Sequence, residues 1–163
     1  MIREATEQDA KAMAEIYNHY IRNTVITFEE DEVDEHDFID RIRKIQKSGF
    51  SWLVAIDDNE IIGYAYSSQW NERAAYRNTA EVSAYLSPSV IAKGWGTRLY
   101  EVLFASLRNK AIHIVIAGVT LPNPASVAIH EKFGMEKVAH FKEVGYKQGK
   151  WLDVGYWQVK LDT

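Results

Sequence analysis

At 163 residues the chain has the length of one domain with one substantial core, and its 47% hydrophobic and 26% charged content argues against disorder. The lack of any cysteine excludes disulfides, thiolate metal sites and cysteine nucleophiles. A net charge of −4 with scattered Lys and Arg argues against a nucleic-acid partner. Met1-Ile2-Arg3-Glu4 opens no apolar signal core and no run approaches the roughly 18 apolar residues of a membrane span, so a cytoplasmic protein with no membrane partner is expected.

Residues 1–5 read as a short strand, and Thr6 with Asp9 three places on gives a helix start of the capping-box kind. Met13, Ile16, Tyr17, Tyr20 and Ile21 follow at helical spacing as one buried stripe. The acidic cluster Glu29-Glu30-Asp31-Glu32, with Asp34-Glu35, reads as a solvated loop. A second helix is predicted from Glu35 to Lys47, with Phe38, Ile39, Ile42 and Ile45 inward and Gly49 past its end. Ser51–Ile56 and Glu60–Tyr66 form a hairpin around Asp57-Asp58-Asn59. The run Thr79–Leu86 alternates Ala80, Val82, Ala84 and Leu86 against Glu81, Ser83 and Tyr85. A helix from Gly96 to Asn109 places Leu99, Val102, Leu103 and Leu107 inward, Ile112–Leu121 is a strand and Pro124–Phe133 a short helix. Two last strands flank Lys147-Gln148-Gly149. The order is one of a mixed α/β sheet with helices on both faces, parallel around the crossover after Leu86 and antiparallel at the hairpins. No repeat or linker divides it, so residues 1–163 are expected to form a single domain.

The most informative stretch is Lys93-Gly94-Trp95-Gly96-Thr97, where a strand has ended and an amphipathic helix begins. The first N–H groups of a helix lack internal partners and carry partial positive charge, and glycines let the main chain approach a bulky anion. Such a turn can cradle a pyrophosphate, or be a plain tight turn. It is not a Walker loop, since no Gly-Lys-Ser/Thr follows, and the third glycine of a dinucleotide fingerprint is missing at Leu99. About 25 residues on, Pro122-Asn123-Pro124-Ala125-Ser126 opens a helix that reaches His130-Glu131-Lys132-Phe133-Gly134-Met135.

This pairing of motifs resembles the GNAT superfamily of N-acetyltransferases. Tyr17-Asn18-His19-Tyr20-Ile21, Arg73-x-x-Tyr76, Thr79-x-Glu81, Tyr85, Asn123-x-x-Ser126, His130-Glu131 and Gly145-Tyr146-Lys147-x-Gly149-x-Trp151-x-Asp153 look like its phosphinothricin and methionine-sulfoximine N-acetyltransferase branch. The resemblance covers nearly the whole chain. It implies a mostly antiparallel sheet with a splayed central parallel pair, a homodimer, and acetyl-CoA as cosubstrate with no metal. By the same resemblance Ala84, Tyr85 and Leu86 would meet pantetheine, the first and last through their backbones; the amides of Ala92, Lys93, Gly94, Trp95, Gly96 and Thr97 would hold the pyrophosphate, and the Asn123 side chain would touch the cofactor. Ile91 departs from the Gln or Arg of the pattern and Met135 from its Phe, and the Lys93 side chain is open to a 3′-phosphate contact or to plain solvation.

Acetyl transfer from a thioester needs a free amine, a polarised carbonyl and a proton for the departing thiolate. Glu81 is where the family places its base, although a strand glutamate can equally be solvated. His130 and Tyr100 are the candidates for the acid, either of which can instead be structural. Arg73 and Tyr76 are the expected contacts to an anionic group of the acceptor, Phe28 and Trp70 the expected pocket walls, with surface and core roles as their alternatives. The acceptor implied is a small amino-acid-like amine. A protein N-terminal acetyltransferase and a non-catalytic acyl-CoA-binding module are the other readings; the first needs an open peptide groove, where segments 22–36 and 137–151 look like walls.

Overall fold

A computed structural model describes residues 1–162. The chain order is β1 (Ile2–Glu4), α1 (Ala10–Asn23), α2 (Glu35–Lys47), β2 (Trp52–Asp57), β3 (Glu60–Gln69), β4 (Thr79–Leu86), α3 (Trp95–Asn109), β5 (Ile114–Leu121), α4 (Pro124–Lys132), β6 (Glu136–Lys147) and β7 (Lys150–Lys160), with 3-10 turns at Glu7–Asp9, Ala74–Tyr76 and Pro88–Val90. The seven strands form one sheet in the order β1-β2-β3-β4-β5-β7-β6. Every pairing is antiparallel except β4 with β5. No helix among the described residues is long and apolar enough to cross a membrane.

The period-two alternation of the strands sorts side chains onto two cores. On one face Leu53, Ala65, Val82, Val115 and Trp157 meet α3; on the other Trp52, Val54 and Tyr64 meet α1 and α2. β4 divides as its alternation predicts, with Ala84 and Leu86 against the α3 core and Tyr85 against the α1/α2 core. A bulge between Ala55 and Ile56 turns Ile62 onto the α3 side.

The start of α1 follows the Thr6 signal, with the Thr6 amide donating to Asp9 Oδ2 at 2.8 Å, but a 3-10 turn precedes the helix proper. Asp9 is buried because Arg3 holds both its oxygens, at 2.7 and 2.9 Å, and this pair keeps its carboxyl below the usual carboxylate range.

Three expectations are corrected. Val102 is exposed: the buried stripe of α3 runs through Leu99, Tyr100, Leu103, Phe104 and Leu107, and the two aromatic rings rotate the apolar face away from Val102. β5 begins at Ile114, because the Ile112 amide still bonds the Leu107 carbonyl of the α3 terminus (3.1 Å). Glu29 leaves the solvated acidic cluster: Arg41 grips its two oxygens at 2.8 and 2.6 Å, and Tyr17 also donates to it.

Candidate active site

The parallel ladder between β4 and β5 has three registered pairs, Thr79↔Ile114, Ala80↔Val115 and Glu81↔Ile116, and then stops, although both strands continue. Trp70 N–H donates to the Thr79 carbonyl and Ser87 N–H to that of Ile62. Bonding directions alternate along an antiparallel strand. The odd-numbered residues from Thr79 to Ser87 therefore engage β3, while Val82, Ala84 and Leu86 turn their amides and carbonyls toward the gap. One of these groups is already taken: the Tyr20 hydroxyl, from α1, donates to the Leu86 carbonyl. The helical spacing of Tyr20 marked it only as core.

The gap opens into a cleft of about 460 Å³. At one end stands the start of α3. Ala92 and Gly94 both adopt positive φ, 68° and 84°, a shape that turns successive amides toward a common point. Gly94 caps α3 with no side-chain bond, and Arg98 is the first α3 residue whose N–H meets a carbonyl of the helix, that of Gly94. The amides of Trp95, Gly96 and Thr97 are thus available to an anion. Gly96 is needed for closeness, since a Cβ there would stand 3.0 Å from Ile129 Cδ1. Ala84, Tyr85, Leu86, Ala92, Gly94, Gly96, Thr97 and Asn123 all line this cleft. The Lys93 and Trp95 side chains do not: Lys93 is exposed, and the Trp95 ring is buried beneath Arg98, whose guanidinium carbon lies 3.6 Å from the ring centre.

At the other end Tyr100 of α3 and His130 of α4 meet, hydroxyl to Nε2, at 2.9 Å. His130 Nδ1 lies 2.6 Å from the Ser126 carbonyl, which only accepts, so Nδ1 carries the proton. Burial lowers the His130 pKa against the opposing pull of that carbonyl, which keeps the ring neutral, so Nε2 is an acceptor and Tyr100 is the donor. Burial drives the Tyr100 pKa up, and the phenol stays protonated. Asn123 Oδ1 caps α4 by accepting from Ser126 N–H at 3.2 Å, which leaves its amide nitrogen for the cleft.

Glu81 is the last β4 residue paired with β5. It shares the α1/α2 face of the sheet with Tyr66, opposite Ser83, and with Ser68, its own partner on β3. Tyr156 lies over Gly118, where a Cβ would sit 3.1 Å from the ring. Burial among these groups raises the Glu81 pKa above the usual carboxylate range. A narrow recess of about 70 Å³, walled by Ser83, Ala84, Tyr100, Gly118 and His130, adjoins the cleft and begins one residue along β4 from Glu81, at Val82; Glu81 itself lines neither.

The expected acceptor contacts do not converge on this cleft within one chain. Phe28 packs its ring on Gly145, where a Cβ would overlap the ring. Tyr76 stands edge-on to Trp70 at 5.2 Å, and Arg73 is exposed with its amide on Asn71 Oδ1.

A splayed strand pair with unpaired main chain, helix-start amides open to an anion at one end and a half-buried carboxylate where the strands part are features that fit an acyl-CoA-dependent transferase. Residues 2–155 match the family described as the acetyltransferase (GNAT) domain. The chain is 36% identical over 157 residues, 96% of its length and 85% of the relative's, to a phosphinothricin N-acetyltransferase of Streptomyces viridochromogenes. It is 32% identical to an L-methionine sulfoximine/L-methionine sulfone acetyltransferase of Salmonella typhimurium, over 99% of this chain and 94% of that one. Its fold superposes with a TM-score of 0.96 on a GNAT-superfamily phosphinothricin acetyltransferase from Sinorhizobium meliloti, solved in complex with acetyl-CoA, at 34% identity over 99% of this chain and 88% of that one. The chain belongs to the GNAT acetyltransferases and is an acetyl-CoA-dependent N-acetyltransferase.

Proposed function

We propose that the protein, acting through residues 1–163 as one catalytic domain, acetylates the primary amine of a small amino-acid-like acceptor in the cytoplasm, where acetyl-CoA is available. The observation that carries this reading is the position of Glu81 at the point where β4 and β5 part. Bound acetyl-CoA supplies the thioester, its pantetheine along Ala84 and Leu86 and its diphosphate on the amides of Ala92–Thr97. The names of the relatives support the acceptor class.

In this reading Glu81 takes a proton from the acceptor nitrogen as the new C–N bond forms and the C–S bond breaks. The main-chain amides of β4 that face the gap polarise the carbonyl. Tyr100 O–H swings from His130 Nε2 to the sulfur, which leaves as thiolate and takes its proton from solvent. His130 acts as the resting acceptor that keeps the hydroxyl aimed. Arg73 and Tyr76 receive the anionic group of the acceptor, with Phe28 as a wall.

The test is a panel of free amino acids and short peptides assayed for acetyl-CoA-dependent thiol release, with the cofactor titrated by calorimetry. Turnover of free amino acids above peptides is expected. Peptide preference would instead favour N-terminal protein acetylation, and cofactor binding without turnover a non-catalytic acyl-CoA module.

We also infer a homodimer. β6 is an edge strand of the sheet, and the β6–β7 hairpin exposes Val138, Phe141, Val144, Tyr146 and Trp151, the last by 64%. Long apolar edges are normally covered, and a second copy does so symmetrically. Light scattering is expected to give twice the chain mass, and Trp151→Glu to halve it; a wild-type monomer would refute the inference.

A further inference from the structure

A second cavity, of about 370 Å³, lies under α2 on the face of the sheet that carries Glu81. Its interior is aromatic: Trp52 stacks on Tyr66 at 4.2 Å and 16°, and on Tyr64 at 5.6 Å. The one cation in its wall other than the exposed Lys44 is Arg41, and both guanidinium arms are held by Glu29. The inner surface is therefore apolar and electrically balanced, suited to an uncharged side chain.

Its place matters more than its lining. Ser68 of β3 forms part of the cavity wall and is the cross-strand partner of Glu81. Directly opposed residues on an antiparallel pair have Cβ atoms about 5 Å apart. Glu72 stands at the mouth, next in sequence to Arg73. An acceptor whose amine meets Glu81 thus has, one strand away, an aromatic recess bordered by the loop that carries Arg73 and Tyr76.

We propose that this cavity is the side-chain subsite of the acceptor and selects amino acids with a large, flat, apolar side chain. The proposal rests on the acetyl-transfer reading for the identity of its ligand. The amine lies at Glu81, the side chain passes Ser68 to lie against Tyr66 and Trp52, and the carboxylate stays toward the loop after Trp70. Small acceptors leave the recess empty and gain nothing from it.

The test compares L-phenylalanine with L-alanine, by thiol release and by calorimetric binding, in wild type, Ser68→Phe and Gln69→Trp. The first variant fills the recess beside Glu81 and the second narrows its mouth from an exposed strand end. Wild type is expected to favour phenylalanine in kcat/KM by about 10- to 100-fold, the worth of burying one aromatic side chain. Gln69→Trp should erase that preference while alanine turnover continues, and Ser68→Phe should abolish the calorimetric advantage of phenylalanine, with melting temperature reporting the fold. No preference in wild type, equal turnover losses for both acceptors in Gln69→Trp, or an unchanged phenylalanine advantage in binding to Ser68→Phe would overturn the subsite. Phenylalanine binding that both variants abolish, with no acceptor turned over, would uphold the subsite and refute acetyl transfer.

Discussion

Glu81→Gln is expected to lower turnover by about 100- to 10,000-fold, the range of a lost general base, while acetyl-CoA affinity stays within about twofold of wild type. The two readouts separate because the cleft is lined mainly from α3, the loop before it, α4 and the far half of β4, whereas Glu81, in the paired half of β4, does not line it. Burial raises its pKa, so the active carboxylate is lost as pH falls through a value above the ordinary carboxylate range. The acid limb of the wild-type profile should report that value and vanish in the variant. Stability should move the other way. A carboxyl with a raised folded-state pKa contributes stability below its unfolded pKa and loses it as pH rises through the folded one. At neutral pH wild type carries that penalty and the glutamine does not. A variant both slower and higher-melting at pH 7 is the expected result; unchanged turnover would remove Glu81 from the chemistry.

Tyr100→Phe is expected to lower kcat by about 10- to 100-fold, the worth of one hydrogen bond to a charged group, with little change in KM. The phenol, with a pKa raised by burial, is a poor source of a full proton but a good donor to a thiolate. The hydrogen bond, not the proton, is what the variant loses. His130→Gln should cost less, since a glutamine offers an acceptor to the same hydroxyl. If Tyr100→Phe were neutral while His130→Gln were severe, the order of the two residues along the path would be reversed.

How much of this was legible in the residues depends on distance along the chain. The turn at Gly94-Trp95-Gly96 could be read because its chemistry is local: two glycines, then an apolar helix. The alternation of Thr79–Leu86 set which side chains share a face with Glu81, and crossover and hairpins set the parallel and antiparallel pairings, but not that β7 rather than β6 lies beside β5. The bond from Tyr100 to His130 joins residues 30 apart on two helices, and no spacing announces it. Tyr20, which reaches 66 residues to Leu86, looks in sequence like any other rung of a buried stripe. Glu29 had the composition of a solvated cluster and lost it to Arg41, twelve residues on, across a turn that sequence does not fold. Arg73, Tyr76 and Phe28 could be singled out by resemblance, but a single chain does not gather them around the cleft. The recess under α2 has no motif at all, since it is the space left where helix and sheet fail to touch.

The three rungs that join β4 to β5, beside eight between β5 and β7, divide the sheet into two slabs: β1 to β4 on one side, β5 to β7 on the other. A molecule lying along Ala84 and Leu86, as proposed for acetyl-CoA, would supply some of the missing rungs. It would then be a mortar joint as well as a reagent, and its departure after each turnover would slacken the seam at which the next acceptor must be aligned.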